Sequence, residues 1–208
     1  MNCYISLRGR LEHREKINRS LFIVHGIHCE KEKKCKEFIQ KINNRYPDAS
    51  HNCWAYFVDN METRKNYSDA GEPSGTAGRH IFGSIKTSEL KNIVIVVTRY
   101  FGGVKLGIRG LIDAYGGITT RALESTHKAR YCSGIIVSFV MDYGIWDSFN
   151  KIFKEDTEYN KRNIEYTDKV HVSIAVKAQM LSNVKEFAEK RNIEYHLENE
   201  VTFVEPLV

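Results

Sequence analysis

The sequence predicts an α+β protein built as two domains, and three observations predict it. Strand-like and helix-like segments alternate along the whole chain. Ten of the fourteen glycines fall between Gly71 and Gly117, so the first block differs in character from the second. After residue 132 the elements follow the order β-α-β-β-α-β, the split ferredoxin-like arrangement. The 208 residues are 42% hydrophobic and 27% charged, which is ordinary globular usage with enough apolar material to bury a core. The boundary is placed where the pattern resets, giving domains 1–132 and 133–208.

Within the first domain, Ser20 to His28 reads as a strand. The spacing then predicts a helix over 31–45, with Cys35, Phe38, Ile39 and Ile42 on one face. Pro47 and Asp48 close it, His51 to Val58 is a second strand, and polar residues 59–68 form a loop or hairpin connection. A short helix follows Gly78 as far as Lys86. Asn92 to Thr98 is a continuous β-branched run, which predicts a strand buried on both faces. Ile108, Leu111, Ile112, Tyr115, Ile118, Ala122 and Leu123 recur at helical spacing. Gly116 and Gly117 sit inside that helix at about 1 kcal/mol each relative to alanine, a cost that close packing against another backbone explains.

The second domain alternates cleanly. Strand 135–141 leads to helix 145–153, with Trp146, Phe149, Ile152 and Phe153 inward; strands 163–167 and 170–177, helix 180–190 and strand 201–204 complete it.

Composition narrows the function classes. No stretch approaches the ~18 apolar residues that span a bilayer, and the charged N-terminus lacks the apolar centre of a secretory signal. A cytoplasmic protein without membrane contact is expected. A net charge of +5 and pI near 8.9 permit a polyanionic partner without identifying one. Five cysteines without a C-x-x-C pair predict free, buried thiols in a reducing compartment, with no metal or dithiol chemistry.

The chemical interest lies in Asp69–Arg79 (DAGEPSGTAGR) and Thr98–Gly107 (TRYFGGVKLG), each placed before a predicted helix. Gly71, Gly75 and Gly78, with Gly102 and Gly103, let backbone amides approach a ligand, and a helix start adds unpaired donors. Ser74 and Thr76 add hydroxyls; Arg79, Arg99 and Lys105 add charge. Together they make a phosphate or carboxylate site, although tight turns serving the fold explain the same glycines. Neither segment matches a P-loop or a dinucleotide fingerprint, so no cofactor is indicated, and no metal-ligand spacing occurs. His51 and Cys53 share a strand face and could form an activated thiolate, or could be a buried cysteine beside a backbone-bonded histidine. Asp69 and Glu72 are candidate acid–base groups, with a turn cap the alternative at Asp69. His80 reads as structural.

With HNCWAY at 51–56, GEPSGTAG at 71–78, VVTRYFGG at 96–103, KLG at 105–107 and GL-x-x-AYGG at 110–117, the sequence resembles the YigZ/Impact family. The likeness covers roughly residues 17–127. It implies an N-terminal domain similar to the second domain of a small-subunit ribosomal protein. It also implies a C-terminal domain resembling a ferredoxin-like domain of elongation factor G. Eukaryotic members are translation-initiation regulators acting through protein partners, and nucleic-acid binding has been suggested for bacterial ones. The resemblance therefore implies a non-enzymatic, translation-linked protein that binds RNA or a ribosome-associated partner. An enzyme acting on a small phosphorylated or carboxylated molecule and a protein-interaction module are the alternatives. The chain departs from the family at Ala70, where a second acidic residue is usual, and at Ile108-Arg109, where Thr-Gly is usual.

Overall fold

The computed structural model describes residues 3–59 and 63–207. Its contacts divide the chain into Ile5–Lys128 and a second unit formed from Ala129 onward, which the first residues up to Tyr4 join. The sequence pattern places the change at 132/133; the structure shows an unbroken strand there, β7 (Lys128–Met141), with no loop between.

β1 (Tyr4–Leu7) starts in the second unit and leads into the first, which opens with β2 (Arg10–Ile17), β3 (Ser20–His28) and α1 (Glu32–Arg45). β4 (His51–Asp59), β5 (Thr63–Ser68), α2 (Gly78–Thr87), β6 (Ile93–Tyr100) and α3 (Gly107–Glu124) follow. Five strands form one antiparallel sheet in the order β2-β3-β6-β4-β5. Central β6 explains the β-branched run. Ile93, Ile95 and Val97 point into a core shared with Ile81 and Ile85 of α2 and Leu111, Tyr115 and Ile118 of α3. Val94 and Val96 point the other way, against Cys35, Ile39 and Ile42 of α1. Period-two alternation thus serves two cores at once.

β2 and β5 do not emerge from the sequence pattern. Both are sheet edges, and RLEHREKI and TRKNYS carry the polar, charged composition that keeps edges from pairing with other chains. The polar connection expected over 59–68 is therefore strand from Thr63 onward, while residues 60–62 lie outside the described residues. Ile108, expected inward, is 68% exposed. A Cβ on Gly116 would meet only His80 Cβ at 3.8 Å, an ordinary contact, and one on Gly117 would meet the Arg121 guanidinium. Close backbone packing is thus not the reason for these glycines.

In the second unit, β7 is followed by α4 (Tyr143–Ile152), β8 (Tyr159–Tyr166), β9 (Val170–Lys177), α5 (Leu181–Glu189) and β10 (Tyr195–Pro206). These strands stand in the order β10-β7-β9-β8, each pair antiparallel. The core centres on Phe149, fully buried, whose ring lies 4.6–6.1 Å from those of Phe153, Tyr159, Phe187, Trp146 and Phe139. Edge and offset geometries of this kind add to the burial itself. Ile152, expected inward, is 54% exposed at the end of α4.

The cysteines also differ from expectation. Cys3 pairs with Cys132 and Cys29 with Cys35 as disulfides, leaving Cys53 as the free thiol. Partners 129 residues apart leave no spacing signal in a sequence. Among the described residues no helix is long and apolar enough to cross a membrane.

Candidate functional site: a buried ion pair beneath the glycine loops

The loop between β5 and α2 is organised by Asp69. Its Oδ2 accepts the amide of Gly75 at 2.8 Å, and its Oδ1 accepts those of Ala77 at 3.0 Å and Gly78 at 2.8 Å. A carboxylate that stands before the helix in sequence thereby caps the N-terminus of α2, where the first amides lack partners and the helix dipole favours negative charge. Burial pushes the Asp69 carboxyl up, but the three amides and nearby His80 outweigh it and hold it below its ordinary range. Gly78 is required by packing: a Cβ there would stand 2.7 Å from the backbone of Ser68.

Glu72 turns inward from the same loop and is 8% exposed. Its Oε1 accepts from Arg99 Nη1 at 2.6 Å and from the Tyr115 hydroxyl at 2.8 Å. Arg99, at the end of β6, also donates from Nη2 to Ser20 Oγ at 3.2 Å. Its guanidinium lies 5.5 Å from the ring centres of Phe22 and Phe101. The same Ser20 hydroxyl accepts the amide of Gly102 at 3.3 Å, and a Cβ on Gly102 would collide with the carbonyl of Arg19. One ion pair therefore fixes the bases of both glycine loops to α3 and to the start of β3.

His51 and Cys53 lie on the β4 face that meets this loop. The carbonyl of Ala70 accepts from His51 Nδ1 at 3.0 Å, so the other ring nitrogen, Nε2, faces Glu72 Oε2 at 3.9 Å. Ala70 itself has φ +45°, a conformation alanine seldom adopts. The Cys53 thiol donates to the carbonyl of Asp69 at 2.9 Å. Burial is the main reason that thiol is pushed up to about 12, with Glu72 and Asp69 adding to it. Burial likewise raises the Tyr115 phenol, helped by Cys53 and Glu72.

These positions revise several expectations. The amides of Gly75 and Gly78 are occupied by Asp69 and do not face an outside ligand. Thr76 is buried and donates to the carbonyl of Pro73 at 2.7 Å. Arg99 is 4% exposed and ion-paired, and Gly102 is tied to Ser20. Gly71, Ser74, Arg79, Gly103 and Lys105 remain exposed. Arg109, the added cation, pairs with Asp113 at 3.2 Å on the surface of α3. His80 bonds the carbonyl of Gly75 through Nε2 at 3.1 Å, a structural role. Sequence reasoning missed Ser20 and the hydroxyl of Tyr115 as partners in the centre, since both stand at ordinary strand and core positions. Among the described residues, no group of three or more His, Cys, Asp or Glu could hold a metal ion.

A buried thiol with a pKa near 12 that donates to a carbonyl is a poor nucleophile, because the thiolate is the reactive form. In the native protein Cys53 should react with iodoacetamide about 10³-fold more slowly than free cysteine, and the rate should rise on unfolding. Native alkylation at the free-cysteine rate would restore the activated-thiolate reading.

Comparison with known proteins agrees with the motifs. The family description of the Impact N-terminal domain matches residues 18–123. The chain is 33% identical to IMPACT family member YvyE of Bacillus subtilis (strain 168) over 212 residues, covering 100% of this chain and 96% of that protein. It is 37% identical to IMPACT family member YigZ of Escherichia coli (strain K12) over 118 residues, 56% of this chain and 58% of that one. A crystal structure described as that of a hypothetical protein superposes with a TM-score of 0.64 at 26% identity, over 95% of this chain and 97% of the other. A domain match running from the start of the glycine-loop scaffold through α3, and a relative followed end to end, lead to one conclusion: the chain belongs to the IMPACT family.

Proposed function

We propose that this chain is a non-enzymatic, translation-linked binding protein. It contacts RNA phosphates through the outer rim of the two glycine loops. The translation link is supported by the family resemblance, which implies an N-terminal domain similar to a ribosomal protein domain and a ferredoxin-like second domain; both are likenesses of fold. The rim is favoured by one contrast. Inner donors are engaged by Asp69 and Glu72, whereas Arg79 and Lys105 are exposed, and Phe101, in the same loop as Lys105, is 48% exposed. An exposed ring and an exposed cation carried on one loop suit base stacking as well as phosphate.

Affinity for single-stranded RNA should fall as salt rises, and Arg79→Ala with Lys105→Ala should flatten the log–log slope by about 0.7 per cation removed. A salt-independent affinity, or a slope the double variant leaves unchanged, would reject the RNA contact. In that event Val104 and Ile108, 39% and 68% exposed, favour a protein partner on the same rim. Recovery of such a partner from RNase-treated lysate would identify it.

A further inference from the structure

A second region of the first unit is independent of the glycine loops. A cavity of about 340 Å³ opens between α1 and the β2–β3 hairpin, within the size range of small-molecule sites. Leu11, Ile27, Phe38 and Ile42 make its apolar part. Arg10, Lys34, Lys41 and Arg45 supply four cations against the carboxylates of Glu12 and Glu37. Glu12 is already engaged by Arg14 at 2.7 and 3.1 Å and by Arg45 at 3.4 Å. Lys34, Phe38, Lys41 and Arg45 recur at three- and four-residue steps, so one stripe of α1 presents a ring flanked by positive charge.

His25 of β3 also lines the cavity and is 3% exposed. Its Nδ1 lies 3.7 Å from Glu12 Oε2, beyond hydrogen-bond distance, and its buried Nε2 has no partner. Its ring stacks on Tyr46 at 5.1 Å, and the Tyr46 hydroxyl is likewise buried and unpaired. Buried polar atoms without a partner are uncommon in native proteins and call for an explanation.

We propose that this cavity binds a small organic anion, an apolar ring that carries one phosphate group. The ring packs on Phe38 and Ile27, and the phosphate takes the α1 cations. The His25 ring, among the lining residues, lies against the bound group. This site stands apart from the proposed RNA rim and does not depend on it.

The full chain can be titrated with 1-naphthyl phosphate, using 1-naphthol and inorganic phosphate as controls, by calorimetry and by NMR of the histidine rings. Saturable one-to-one binding is expected, tighter than either control, with the His25 resonances moving. Lys34→Ala with Lys41→Ala, both exposed on α1, should weaken binding at least about tenfold, with circular dichroism unchanged. Arg79→Ala with Lys105→Ala should leave it intact. The proposal is overturned by an absence of saturable binding, by 1-naphthol binding equally well, by the α1 variant binding as wild type, or by His25 resonances that do not move.

Discussion

Glu72→Ala should lower the unfolding free energy by about 3–5 kcal/mol, because it leaves the Arg99 guanidinium charged and unpaired in the interior. The two side chains are 3% and 5% exposed, so water cannot take over the lost contact. The same substitution removes the acceptor of the Tyr115 hydroxyl. Glu72→Gln keeps the shape and an oxygen, and should cost less. A double variant, Glu72→Leu with Arg99→Met, separates the causes. Replacing both charges by apolar groups should recover much of the loss if the stranded cation is responsible. Urea unfolding of the set decides it: a Glu72→Ala protein within 1 kcal/mol of wild type would mean the pair is not buried as described.

Asp69→Asn is the second large effect, expected at about 2–4 kcal/mol at neutral pH. Three amides point at this carboxylate, and an asparagine offers one oxygen and an NH₂ that faces a donor with a donor. The pH dependence follows from the direction of the shift. The carboxyl is held below its ordinary value of 3.8 in the folded chain. Its stabilisation is therefore full above that value and is lost as pH falls through the lower, folded one. The gap between wild type and Asp69→Asn should be complete at pH 7 and shrink in acid. A gap that stays constant between pH 7 and pH 2.5 would count against a charged cap.

What could be read from the sequence follows from where one face of an element is buried. α3 announces itself because its apolar residues repeat at helical spacing, and β3, β6 and β9 because they are apolar runs rich in β-branched residues. β2 and β5 do not, since a sheet edge has few core positions to fill and is selected for charge. The glycine segments were recognisable as places of close backbone approach, and their amides do surround a negative charge. That charge is the chain's own Asp69. Amides look the same in a sequence whether their anion is bound from solution or supplied a few residues away. The partnership of Glu72 with Arg99 is similarly hidden: 27 residues separate them, and only the sheet brings the end of β6 under the loop.

The bond from Cys3 to Cys132 makes the chain a closed ring with a tail. Residues 18–123, which match the Impact N-terminal domain, all lie on the circumference of that ring. While the bond stands, one protease cut between the two cysteines opens the circle without freeing either piece. Only reductant then parts the fragments.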